Sequence, residues 1–209
     1  MSKFSTRDSV DIEDVRRAFS RIKTYVKETP LYKADWLKTY LGLEDDVFLK
    51  LENLQITGSF KPRGAVNSLL NLSDESLNQG VVARSSGNFA QAVAYAATEL
   101  GINATLVMPT SAPSIKVEKT KSFGADIVLY GTTHKESSDK VEMLVKEHGY
   151  TPLHSFDSLD VIAGQGTVAL EIVEKMPLFG TLICPVGGGG LLAGCSLVAK
   201  NHSRDIDVI

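Results

Sequence analysis

Three short stretches carry residue types suited to binding and covalent chemistry. The first is Thr57-Gly58-Ser59-Phe60-Lys61-Pro62-Arg63-Gly64-Ala65. Pro62 disfavours helical geometry at the residue before it and fits the first position of a helix. Lys61 is therefore expected where a loop becomes a helix running from Pro62 to about Leu72. An ammonium placed there meets the positive end of the helix macrodipole, which favours the neutral amine. A neutral lysine amine attacks aldehydes and forms Schiff bases. Gly58, Ser59 and Gly64 add backbone freedom and donors, and Phe60 adds an aromatic face beside the amine. A solvated surface lysine ahead of a proline-started helix has the same local pattern. Taken alone, the stretch is compatible with a binding site and leaves its chemistry open.

The second stretch, Ser85-Ser86-Gly87-Asn88, stands between an expected strand and an expected helix. In an open parallel sheet, ligands bind at such turns because the first amides of the helix are unpaired. Two hydroxyls and an amide beside free N–H groups suit a small anion such as a carboxylate or phosphate. Ser86 or Asn88 capping the helix is the competing use of the same residues. The third stretch is Gly187-Gly188-Gly189-Gly190. Four successive glycines cost backbone entropy, and their use is the close approach of amides to a phosphate at the N-terminus of the helix expected from Leu191. Gly188, Gly190 and Ala193 also satisfy the dinucleotide pattern G-x-G-x-x-A, with Asp205 and Asp207 further on. That reading leaves Lys61 unexplained.

The elements that must hold these stretches follow from periodicity. Val15, Ala18, Phe19, Ile22 and Val26 recur at helical spacing behind Asp11, a candidate N-cap. A short helix is expected from Ala34 to Leu41 and a strand around Val47 to Leu51. Asn71 to Asp74 read as a polar connector. Then come three strand and helix units: Val81–Ala83 with Phe89–Leu100, Ala104–Met108 with Ala112–Phe123, and Ile127–Tyr130 with Lys135–His148, the helices stopped by Gly101, Gly124 and Gly149. Such units build a doubly wound parallel sheet of the α/β class. A helix near Gly166 to Lys175, a strand Leu182–Val186, a helix Leu191–Lys200 and the start of a strand at Ile206 complete the chain.

The 209 residues, with 22 basic and 25 acidic side chains and a formal charge of −3, show no basic field for nucleic acid. No apolar run reaches the roughly 20 residues that span a bilayer, and the N-terminus lacks a signal-peptide stretch, so a cytoplasmic protein is expected. Cys184 and Cys195 read as buried free thiols. The four histidines, His134, His148, His154 and His202, lack metal-ligand spacing.

Taken together and in this order, Ser59-Phe60-Lys61-Pro62-Arg63-Gly64-Ala65, Ser85-Ser86-Gly87-Asn88 and Pro185-Val186-Gly187-Gly188-Gly189-Gly190-Leu191-Leu192-Ala193-Gly194 resemble the fold-type II pyridoxal phosphate enzymes, tryptophan synthase β-like in fold. The nearest branch is that of the threonine/serine dehydratases and serine racemases. Lys27-Glu28-Thr29-Pro30-Leu31, Leu51-Glu52-Asn53-Leu54-Gln55, Val107-Met108-Pro109, Gly124-Ala125-Asp126 and Ala163-Gly164-Gln165-Gly166-Thr167 support the likeness. The resemblance implies that Lys61 holds pyridoxal 5′-phosphate as a Schiff base and later removes the α-proton of the substrate. It places Phe60 near the cofactor ring, Asn88 on the ring hydroxyl, and Gly187, Gly188, Gly189 and Gly190 with the Leu191 amide on the phosphate. Ser86 would face the opposite side of the substrate, and Ser85, Gly87 and Phe89 would bind its carboxylate. The implied reaction is an ammonia-lyase (dehydratase) reaction turning L-threonine or L-serine into a 2-oxo acid and ammonia. Serine racemase and hydroxyaspartate ammonia-lyase are the alternatives within the family, and an inactive cofactor-binding remnant is the alternative outside it.

The resemblance further implies a homodimer and a two-part plan. A smaller α/β domain at 79–152 is inserted into a larger cofactor domain, formed by 1–78 and 153–209 and left incomplete at the C-terminus. Phe89 stands where the family usually has histidine, so any imidazole role is lost there. Truncation at Ile209 is expected to leave a sheet edge unpaired.

Overall fold

Asp11 opens the first helix, α1 (Ile12–Ile22), through a reciprocal capping box. Its carboxylate accepts from the Asp14 amide and Asp14 accepts from the Asp11 amide, each at 2.9 Å. The computed structural model describes residues 8–209. Val15, Ala18 and Ile22 form the buried stripe of α1, and Val26 falls beyond its end. Next come β1 (Leu31–Lys33), α2 (Asp35–Leu41) and β2 (Phe48–Lys50), with β1 and β2 paired antiparallel. A 3₁₀ turn at Glu52–Leu54 leads into the lysine loop.

The helix behind that loop, α3 (Lys61–Leu70), begins one residue earlier than expected: Lys61 itself is its first residue and Phe60 its N-cap. At the last residue of the predicted connector, 71–74, a helix not expected from the sequence begins, α4 (Asp74–Gln79), capped by the Ser73 hydroxyl. Then β3 (Val81–Arg84), α5 (Asn88–Leu100), β4 (Ala104–Met108), α6 (Ser114–Lys121), β5 (Asp126–Leu129) and α7 (His134–His148) alternate, followed by β6 (Thr151–Leu153). The four strands form one parallel sheet in the order β5-β4-β3-β6.

Both faces of that sheet are covered, as the alternation of its side chains requires. Val81, Ala83, Ala104, Leu106 and Met108 point into a core shared with α5 and with Ala65, Val66 and Leu69 of α3. Val82 and Val107 point the other way, onto Leu144 of α7. The lysine helix is thus docked on the sheet through α5. A second core, built from Val15, Val168, Ile172, Cys195 and Val198, joins α1 to α8 (Leu159–Lys175) and α9 (Gly190–His202). Between those helices lies β7 (Thr181–Leu182), shorter than expected, and it pairs in parallel with the terminal β8 (Asp207–Val208). Cys184 and Cys195 are buried free thiols. Among the described residues, no helix is long and apolar enough to cross a membrane.

One cap carries a measurable pH dependence. At the start of α7, the Glu136 carboxylate accepts from the Thr132 and Thr133 amides at 2.8 and 2.9 Å, which holds its pKa down from 4.5 to about 2. The folded value lies below the unfolded one, so this stabilisation is complete above the unfolded value and is lost as the pH falls towards about 2. Thermal melts of Glu136→Gln are therefore expected to decline less steeply than the parent's across this acid window. Identical acid limbs would show that the cap does not contribute there.

Candidate active site

The order β5-β4-β3-β6 contains a reversal. The chain steps outward from β3 to β4 to β5, then returns through α7 to place β6 on the free side of β3. Ligands of open α/β sheets bind beyond the carboxyl ends of the strands at such a switch point. Two loops meet that condition here: 85–87, which follows β3, and 154–158, which follows β6. Lys61 reaches the second of them, its amine donating to the Ser155 carbonyl at 3.0 Å.

Aromatic rings flank the amine. Its nitrogen stands 5.1 Å from the centroid of Phe60 and 5.9 Å from that of Phe89. Burial pushes the Lys61 pKa below its ordinary 10.5, so desolvation accounts for the shift that the sequence suggested would come from the helix dipole. Phe89 is buried in the α5 core and presents its ring to the amine. At the head of α5, Gly87 is the N-cap and neither Ser86 nor Asn88 caps the helix. The Ser85 hydroxyl instead accepts from the Gly87 amide at 3.3 Å. The first amides of α5 are left available, with Ser86 half-buried and Asn88 exposed beside them.

The glycine loop closes the site from the other side. Gly189 is the N-cap of α9 with φ +89°, a left-handed conformation that suits glycine. The ring of Phe156 lies against Gly188, where an added Cβ would stand 2.1 Å from the Phe156 Cγ, and the Phe156 carbonyl lies 2.9 Å from the corresponding position on Gly190. The consecutive residues Ser155 and Phe156 therefore connect the lysine amine to the glycine loop. Gly187 and Gly189 border open space on the side where a Cβ would project, and Gly190, Leu191 and Leu192 form the amide-rich first turn of α9. Gly188→Ala is expected to push Phe156 or the loop aside at a cost of about 1–3 kcal/mol, the usual range for overpacking. Denaturant unfolding measures this, and a parental midpoint refutes it.

Ser155 and Phe156 escaped the sequence reading because the first acts through its carbonyl and the second is an isolated aromatic residue. Their only sequence cue is a turn-like Ser-Phe-Asp-Ser run just after a short strand.

A switch point that brings a desolvated lysine amine beside a glycine-headed helix defines an α/β protein with an amine nucleophile and an anion-suited helix end close together. The chain belongs to the family described as pyridoxal-phosphate dependent enzyme, which matches residues 22–209. It is 44% identical over 204 residues to the catabolic L-threonine dehydratase TdcB of Staphylococcus aureus strain USA300, spanning 98% of this chain and 59% of that protein. It superposes on maize serine racemase with a TM-score of 0.92 at 39% identity, covering 96% of this chain and 60% of the other. On a threonine deaminase from T.th. the TM-score is 0.88 at 42% identity, with 95% and 63% covered. The chain thus spans about three fifths of the length of these relatives. Its fold is that of the fold-type II enzymes and its cofactor is pyridoxal phosphate, which displaces the dinucleotide reading of Gly188, Gly190 and Ala193. The residues present fit this group: an amine of lowered basicity for the aldehyde, and a left-handed glycine cap with open space beside it for the phosphate.

Proposed function

We propose that this chain carries the cofactor site of a cytoplasmic ammonia-lyase that converts L-threonine or L-serine to a 2-oxo acid and ammonia. The observation that carries the reading is the tie from Lys61 through Ser155 and Phe156 to the glycine loop, set at the carboxyl ends of β3 and β6. Similarity to the threonine dehydratase and threonine deaminase supports the choice of reaction. Lys61 would hold the cofactor through its amine, Gly187 to Gly190 and the Leu191 amide its phosphate, and Asn88 its ring hydroxyl, with Phe60 near the ring. Bound there, the cofactor supplies the electron sink for a carbanion next to the amino group.

The protein residues divide the remaining work. Ser85, Gly87 and the backbone of Phe89, at the uncapped head of α5, hold the substrate carboxylate. The Lys61 amine, already less basic than an exposed lysine, takes the proton from the substrate α-carbon. Ser86 orients the substrate from the opposite face. On this reading 79–152 is the smaller domain, inserted between the first part (1–78) and second part (153–209) of the cofactor domain; the four-stranded sheet supports that division. The two buried thiols suit a reducing compartment.

A racemase reading is favoured by the likeness to maize serine racemase. In that case Ser86 returns the proton to the opposite face. Incubating the chain and pyridoxal phosphate with L-threonine, L-serine and 3-hydroxyaspartate, while assaying 2-oxo acid and D-serine, separates these outcomes. Release of 2-oxobutanoate or pyruvate as the main product supports the lyase, and D-serine as the main product replaces it with the racemase. Cofactor binding without turnover of any substrate identifies a binding remnant and overturns both.

A further inference from the structure

Arg63 lies two residues after Lys61 on α3, about 200° round the helix, so the two cations point in opposite directions. While the lysine reaches the Ser155 carbonyl, the guanidinium is fully buried. It grips Glu52 in a bidentate pair, Nε to Oε2 at 2.9 Å and Nη2 to Oε1 at 2.8 Å. It grips Glu171 of α8 in a second, with Nη1 to Oε1 at 2.6 Å and Nη2 to Oε2 at 3.0 Å. Nη1 also reaches the Thr167 hydroxyl at 3.2 Å and Nη2 the Lys27 carbonyl at 3.3 Å. Both carboxylates have further partners: the Thr29 hydroxyl donates to Glu52, and Lys50 to Glu171. Two cations and two anions balance in the cluster.

The placement of this cluster matters more than its strength. Glu52 and Arg63 stand at the two ends of a segment that runs from the 3₁₀ turn through Lys61 into α3, so their pairing pinches that segment at its base. Glu171 then fastens the closure to α8. As a stabiliser, a buried ion cluster often does no better than apolar residues of the same volume. As a clamp it is well chosen, because a guanidinium fork fixes distance and plane together. We propose that Arg63 is a positioning residue: by closing the Glu52–Arg63 segment and tying it to α8, it fixes where the Lys61 amine stands against the Ser155 carbonyl. The proposal rests on the reading that Lys61 holds pyridoxal phosphate.

Arg63→Lys tests it, since lysine keeps the charge and lacks the fork. The 209-residue chain is mixed with pyridoxal phosphate and quenched with borohydride at timed intervals. Mass spectrometry measures the adduct at Lys61, and visible circular dichroism of the bound cofactor reports its fixed orientation. A displacement of the amine by about 1 Å is expected to slow capture by up to about 10²-fold and to weaken the visible dichroism, while far-ultraviolet dichroism stays parental. Capture and visible dichroism equal to the parent's in a folded variant overturn the proposal. Should Arg63→Lys fail to fold, Thr29→Val loosens Glu52 without removing a charge and serves as the second arm. There, capture slowed about threefold to tenfold supports the clamp, and parental capture overturns it. If the parent itself forms no Lys61 adduct, the cofactor reading is what has failed, so the two failures are distinguishable.

Discussion

Replacing Lys61 with alanine is expected to abolish the borohydride-fixed pyridoxal phosphate adduct and the visible imine absorption that accompanies it in the parent. Among the described lysines, Lys61 combines a half-buried amine with aromatic flanks and a carbonyl partner at 3.0 Å. Desolvation raises the share of neutral amine at a given pH, and the neutral amine is the nucleophile. The capture rate of the parent should therefore fall, as the pH is lowered, around a midpoint below 10.5, with N-acetyl-lysine as the unburied control. The alanine variant should retain the parental fold, because the side chain it removes makes one hydrogen bond, to a backbone carbonyl. An adduct of equal yield on another lysine of that variant would remove Lys61 from the site.

Gly164→Ala is expected to cost the chain much of its stability. Gly164 of α8 meets the first turn of α3 so closely that an added Cβ would stand 2.5 Å from the Arg63 carbonyl oxygen and 2.7 Å from the Gly64 Cα. These are backbone atoms, which cannot turn aside as a side-chain tip can, so the two helices must separate. Overpacking of this kind costs about 3 kcal/mol at the upper end of its usual range. For a chain of this size that corresponds to a fall in Tm of about 6–12 °C. The separation also carries α3, and with it Lys61, away from α8, so capture of the cofactor should slow in whatever fraction remains folded. Calorimetry on the cofactor-free chain measures the first effect, and a parental Tm would show that the contact relaxes freely.

Much of the fold is legible where local rules act alone. The strand Ala104–Met108 agrees residue for residue, and the helices stopped by Gly101 and Gly149 end there, because an apolar run or a helical stripe bounded by a glycine needs no partner to be recognised. Elements defined by distant partners are not legible in this way. β1 and β6 are three residues long, and β6 contains Pro152, so only pairing with β2 and β3 makes them strands. α4 is six residues long, all but Leu77 polar, and has no buried stripe. The sequence places the start of α8 near Gly166; the helix begins at Leu159, and Gly164 lies within it, where its bare backbone lets α3 approach.

The candidate site divides in the same way. Lys61, the Ser85–Asn88 turn and the four glycines announce themselves by residue type and spacing. The Ser155 carbonyl, the Phe156 ring and the Arg63 clamp do not, because each takes its meaning from a contact across the fold.

The spans of those contacts set the order in which the site can come into being. Lys61 and Ser155 are 94 positions apart, Arg63 and Thr167 are 104, and Arg63 and Glu171 are 108. Closing chain segments of that length precedes any gain from the contacts themselves, and topologies rich in such closures fold slowly. No short fragment of the chain can preassemble the amine, its carbonyl partner and the clamp behind it. On the proposed reading the cofactor would meet a finished site, and its capture by Lys61 would be a chemical signal that the distant halves of the chain have docked.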